Sequence, residues 1–222
     1  MCWNENISLN TFIFSTFVLI FIYYNNNYTQ YKTKEFNDWK LYVLFFSFII
    51  MQLVEYFLWK SIREKNTYNN TLFSIIGWIV IRIIQPVILI LFISDKYLSI
   101  KYLTLLFYAI LLISTSMYKQ FYNPVDFTTV IGKNNHLLWK WLNLQKFENI
   151  LGYSYFLFFI PLYMKFPFMT LTVLSFYVYC FIFYFDNMTW GSMWCWFTNS
   201  LLLYFLIKIV FLSPYKEYNF IC

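Results

Sequence analysis

The chain has 222 residues, of which 61% are hydrophobic, 26% aromatic and only 12% charged. A soluble domain carries roughly twice that share of charge, and a mean hydropathy of +0.56 leaves too little polar surface to cover a globule. Soluble enzymes and nucleic-acid-binding proteins are excluded, and an all-α integral membrane bundle is expected. The 16 Lys and Arg against 10 Asp and Glu give +6. These cations are scattered through short polar segments, as topological and headgroup anchors are, and form no stripe for a nucleic acid. A single alanine beside abundant Phe, Tyr, Ile, Asn and Lys reflects an A+T-rich coding sequence, which adds aromatic bulk without adding function.

Seven apolar stretches follow in chain order, at about 8–24, 41–59, 72–94, 98–117, 150–164, 167–185 and 189–212. At 1.5 Å per residue such stretches cross a hydrocarbon core of about 30 Å, so the expectation is one domain of seven transmembrane helices with its ends on opposite sides. The first stretch follows Asn4, Glu5 and Asn6 and has neither a basic n-region nor a small-residue cleavage site, which predicts a retained helix instead of a signal peptide. Pro161, Lys165 and Pro167 shorten the fifth to about fifteen apolar residues. It is therefore expected to form a tight hairpin with the sixth, or to be tilted or broken, with six spans as the alternative. The longest polar connection, 118–149, interleaves Leu137, Leu138, Trp141, Leu142 and Leu144 with Lys140, Asn143 and Lys146. That pattern predicts a short helix lying in the membrane interface, and a structured loop anchored by tryptophans fits it equally. Loop Lys and Arg tie at seven on each side, which leaves absolute orientation open with a lean to an outward N-terminus.

An ionisable side chain in a membrane-spanning helix costs about 2.5 to 3.5 kcal/mol on insertion scales, so each one present requires a reason. Gln52, Glu55 and Trp59 repeat at i, i+3, i+7 on the second stretch, and Trp78, Arg82 and Gln85 at i, i+4, i+7 on the third, so each set lines one helix face. Arg82 is expected to reach Glu55 or Gln52 through the bundle interior, either as part of a functional site or as a structural pair fixing helix register. On the last stretch Ser192, Cys195 and Asn199 form a polar stripe, and Trp190, Trp194 and Trp196 stand where an interfacial belt is expected. Lys208 lies near the other end and is expected to snorkel. Counting crossings puts the N-terminus and the second, fourth and sixth loops on one face. Cys2, Glu55, Trp59, His136, Ser192 and Cys195 then share one leaflet, whichever way the protein is inserted.

Met1-Cys2-Trp3, the Gln-x-x-Glu-x-x-x-Trp run from Gln52 to Trp59, Pro86 in the third helix and Ser192-Met193-Trp194-Cys195 together resemble an uncharacterised family of small multi-pass membrane proteins from bacteria and large DNA viruses. The order holds along nearly the whole chain. Met51 stands where bacterial relatives often have His, and Asn4 where they have Ser. His136 is similar to a family loop histidine. The resemblance implies architecture and site position but no activity, and the composition is similar to the viral branch, which implies a host or virion membrane.

Three functions follow from these residues. Cys2, Glu55, His136 and Cys195 could form a thiol or metal centre at headgroup depth for a lipid or amphiphile, with zinc the metal that accepts such mixed ligands. Gln52, Glu55, Arg82, Gln85 and Asn199 could instead line a proton, ion or small-solute pathway, although no repeated half supports a conventional secondary transporter. In the third, the polar set only staples the helices of a receptor-like or structural protein. The lipid bilayer is the one partner common to all three.

Overall fold

A computed structural model describes residues 4–122, 126–142 and 157–214. The structure is an all-α bundle. Helix α1 spans Glu5–Tyr28 and is capped by Asn4, whose side-chain oxygen accepts from the Ile7 amide at 2.9 Å. Helix α2, Trp39–Arg63, begins on Asp38, which accepts from the Lys40 amide at 3.0 Å. Helix α3, Thr67–Ile79, begins on Asn66, which accepts from Asn69 at 3.0 Å. These caps satisfy amides that each first turn leaves without an intrahelical partner.

Helix α3 continues through a π turn, Val80–Ile84, into α4, Gln85–Leu91. The irregularity has a local cause. Pro86 has no N–H for the Arg82 carbonyl four residues earlier, and in hydrocarbon that oxygen needs another donor. Helix α5, Leu98–Tyr122, supplies one, because the Tyr108 hydroxyl donates to the Arg82 carbonyl from a buried position. Tyr108→Phe should therefore cost about 1 to 3 kcal/mol in detergent unfolding titrations, with the ring packing retained. An unchanged midpoint would show that the hydroxyl is dispensable.

After α5, strands β1, Thr129–Ile131, and β2, Leu137–Trp139, pair antiparallel with Ile131 opposite Leu137. Then come α6, Phe159–Lys165, α7, Pro167–Tyr184, and α8, Trp190–Ile207, the last extended by a π turn over Lys208–Leu212. Among the described residues, six helical segments are long and apolar enough to cross a membrane: Glu5–Tyr28, Trp39–Arg63, Thr67–Leu91, Asp95–Met117, Pro167–Tyr184 and Trp190–Leu212. The chain is a multi-pass membrane bundle, and its many exposed Phe, Ile, Leu and Tyr side chains face the lipid that such a bundle requires. Phe166 alone separates α6 from α7, which makes the tight turn expected from Pro161, Lys165 and Pro167.

Polar contacts between loops define the two ends. On the N-terminal side Arg63 pairs with Glu5, Asn70 bonds Thr129, and Asn134 donates to Thr189. On the opposite side Lys165 donates to Asp38 at 2.6 Å, Lys208 to Glu35 at 2.8 Å, and Lys101 pairs with Asp95. Lys208 thus reaches the headgroup level, as a snorkelling lysine does. The hairpin lies at one end and Lys165 at the other, and the fifth expected stretch, 150–164, falls partly outside the described residues. The helix expected over 137–144 is corrected. Leu137–Trp139 is a strand and Lys140–Leu142 a single 3-10 turn, while 143–149 lies outside the described residues. Within this segment Leu137, Trp139, Trp141 and Leu142 are all buried.

Candidate functional site

Helix α2 packs against α1, α3, α4 and α8, and its inward face carries Gln52 and Glu55, both fully buried. Glu55 lies eight residues before the end of α2 at Arg63, about 12 Å below the N-terminal-side end at 1.5 Å per residue. Facing it on α8 are Ser192, Cys195 and Asn199, all buried. The Glu55 carboxylate is within electrostatic reach of the Cys195 thiol. Asn199 bridges the two helices, its amide donating to the Cys195 carbonyl at 2.8 Å and to the Phe48 carbonyl of α2 at 3.3 Å. The i, i+3, i+7 pattern on each helix produces this apposition, because both polar stripes turn away from lipid.

The hairpin closes the site from above. Its β1 edge is held by Asn70, whose amide donates to the Thr129 carbonyl at 3.0 Å while its oxygen accepts from the Thr129 N–H at 2.8 Å. One side chain thereby replaces a neighbouring strand. Ser74 adds a hydroxyl contact to Thr129 at 2.7 Å. The turn over Gly132–His136 is closed by the Gly132 N–H donating to the His136 carbonyl at 2.8 Å, with Asn135 at φ 60°, a conformation Asn tolerates better than most residues. Trp139 and Trp141 then stack at 5.3 Å and 7°. Gly191 makes room for Trp139, and Gly77 is in ordinary contact range of Trp141. A Cβ on Gly77 would sit 3.8 Å from the Trp141 ring, and one on Gly191 would meet Leu142 at 2.5 Å and Trp139 at 3.2 Å.

Several buried polar atoms have no hydrogen-bond partner among the described residues: both side-chain atoms of Gln52, the Asn199 oxygen, and the indole N–H groups of Trp59, Trp139 and Trp141. Such atoms are uncommon in native interiors and call for a ligand, water or ion. Among them are three indole N–H groups and the Gln52 amide N–H, donors whose complement is an acceptor oxygen.

The expected contact of Arg82 with Gln52 is not made as a hydrogen bond, since neither side-chain polar atom of Gln52 has such a partner among the described residues. Register is the reason. Helices α2 and α3 are joined by only Glu64, Lys65 and Asn66, so Glu55 is level with Ile75. Arg82 lies seven residues deeper, roughly 10 Å along the axis. Arg82 and Gln85 are buried nearer the opposite half, at the level of Phe48 and Asn199. His136 is buried in the hairpin turn, its ring edge-on to Tyr184 at 5.5 Å. Cys2 lies outside the described residues. Cys195 carries a free thiol, as does Cys180. Among the described residues no group of three or more His, Cys, Asp or Glu side chains could hold a metal ion, so Glu55, His136 and Cys195 do not form a zinc centre by themselves.

The tryptophans of α8 depart from the expected belt. Trp190 and Trp194 are buried, with Trp194 donating to the Val173 carbonyl of α7 at 3.2 Å, and Trp196 donates to Thr11 of α1 at 3.3 Å. These rings fasten α8 to its neighbours. Asn70, Ser74, Thr129 and Trp139 had not been singled out in the sequence. Their signal was the β-branched run Thr128–Ile131 followed by Gly132 and Asn134-Asn135, a hairpin pattern. No protein-family model, curated protein or solved structure matches the chain.

Proposed function

We propose that the protein binds the polar head of a lipid or amphiphile inside the bundle, in the N-terminal-side leaflet, and acts on it through the Cys195 thiol. The supporting observation is the set of buried side-chain donors on Gln52, Trp139 and Trp141 that lack partners among the described residues, together with the Cys195 thiol within electrostatic reach of the Glu55 carboxylate. Donors of this kind suit ester or phosphate oxygens. In the reaction proposed for an ester, the Cys195 sulfur adds to the carbonyl carbon as its proton passes to Glu55. The departing alcohol takes that proton as the thioester forms, and water later hydrolyses it. The family resemblance contributes architecture and site position to this proposal and no activity.

The test separates site from packing core. Gln52→Leu replaces a buried amide lacking a partner among the described residues with an apolar side chain, so it should fold with a stability equal to wild type or higher by about 1 to 3 kcal/mol. It should also lose one lipid or amphiphile from among those that native mass spectrometry detects on the wild-type protein. Loss of fold in Gln52→Leu, or no bound amphiphile on wild type, would make the lining structural. The thiol step predicts a covalent acyl adduct on Cys195 after incubation with an activated acyl ester, unaffected by Cys180→Ser. An adduct-free Cys195 would confine the proposal to binding.

A second proposal, a proton or ion pathway, has its own support in the burial of Glu55, Gln52, Asn199, Arg82 and Gln85 at successive depths. It requires proton or ion flux in liposomes that Glu55→Gln abolishes.

A further inference from the structure

The opposite end of the bundle carries a second feature unrelated to the site above. A cleft of about 450 Å³ opens there between the start of α2, the end of α4 and α6, lined by Lys40, Phe92, Asp95, Pro161, Met164 and Lys165 among others. Its floor is apolar and its rim is basic. The buried Phe92 ring lies under two ammonium groups, Lys40 at 5.7 Å and Lys165 at 6.0 Å from its centroid, an arrangement that holds both cations over one aromatic face. Lys165 donates to Asp38 at 2.6 Å, whereas Lys40 stays 3.8 Å from the same carboxylate oxygen. Asp38 is held below the usual carboxylate range. Burial alone would raise it, but the Lys165 hydrogen bond, the Lys40 amide and the two lysine charges outweigh that effect. It is thus an ionised counter-charge that positions the lysines without neutralising both. Lys101 is paired with Asp95 on the same rim. Lys40 and Lys165 on the cleft, with Lys101 beside it, therefore stand against Asp38 and Asp95, an excess of one positive charge.

We propose that this cleft binds the phosphate of an anionic phospholipid from the leaflet on this side. Lys40 and Lys165 supply charge-assisted donors to the phosphate oxygens. The depth is right for a headgroup, because the cleft sits where α4 and α6 end and where Asp38 caps α2. A lipid suits it better than a free anion. Its wall of Phe92, Ile93, Pro161 and Met164 is apolar, and Met164 is 80% exposed on the lipid-facing side, so acyl chains continue from the cleft onto the bundle surface. Basic pockets between membrane helices take anionic headgroups on this physical basis.

The experiment compares the protein in nanodiscs of phosphatidylcholine alone with nanodiscs doped with phosphatidylglycerol, counting lipids retained by native mass spectrometry. Wild type is expected to retain phosphatidylglycerol preferentially. Each lysine contributes about fivefold and the pair about 25-fold, so the double variant Lys40→Gln/Lys165→Gln should abolish the preference while Lys133→Gln on the other end leaves it intact. In parallel, amine-reactive labelling of wild-type Lys40 and Lys165 should slow in phosphatidylglycerol and not in phosphatidylcholine, which keeps the test decisive if the double variant does not fold. Equal retention of both lipids, or an unchanged preference in the double variant, overturns the proposal. Protection of the two lysines by inorganic phosphate in phosphatidylcholine nanodiscs, equal to that by phosphatidylglycerol, would assign the cleft to a soluble anion and overturn the lipid assignment.

Discussion

Trp141→Ala should be among the most damaging single substitutions in the bundle, costing about 3 to 5 kcal/mol, the range for removing a buried aromatic ring. Trp141 is buried, stacked on Trp139, and reaches the groove that Gly77 leaves beside Met51 and Val54. Its loss should also release the hairpin, because Trp139 would then lack the ring that backs it. The measurement is a detergent unfolding titration combined with hydrogen exchange across residues 126–142. A cost below about 1 kcal/mol, with hairpin amides still protected, would mean that the hairpin is held by its hydrogen bonds alone.

Asn70→Leu tests those hydrogen bonds. The substitution leaves the buried Thr129 N–H and carbonyl facing an apolar side chain, and each unsatisfied group costs about 1 to 3 kcal/mol. A loss of about 2 to 4 kcal/mol is expected, together with faster exchange at Thr129 and faster proteolysis of the hairpin turn. Asn70→Asp separates geometry from donor number, because it keeps an oxygen for the Thr129 N–H and removes the donor to its carbonyl. It should lie between wild type and Asn70→Leu. If Asn70→Leu equals wild type, water reaches the β1 edge and the hairpin does not seal the site.

How much of the site could be read in advance differs from residue to residue. Gln52, Glu55, Ser192, Cys195 and Asn199 were legible because helical periodicity and the cost of polarity in lipid together set which face turns inward. Parity of crossings put Glu55, Ser192 and Cys195 in one leaflet, and the Glu5, Asn70 and Asn134 contacts join loops at that end. The missing Arg82–Gln52 hydrogen bond was not legible, since it depends on an axial offset of two turns set by a three-residue connection. The segment around Trp141 was read as a helix for a different reason. An alternation of Leu and Trp with Lys and Asn fits a surface helix, an anchored loop or an inserted hairpin alike, and the space left by Gly191 favours the last.

The amino-acid sequence by itself determined the solvent of this protein, its helical class, the approximate spans and the inward faces of α2, α3 and α8. Each of these follows from local composition and periodicity acting against hydrocarbon, where backbone groups must pair within the segment and polar side chains must turn inward. The tertiary structure decided which polar residues meet. It placed Glu55 beside Cys195, lowered Arg82 to the level of Asn199, gave the carbonyl opposite Pro86 a hydroxyl from α5, and drew the loop tryptophans down between α3 and α8. Those outcomes depend on packing between segments far apart in the chain, where a single helical turn is enough to exchange one partner for another.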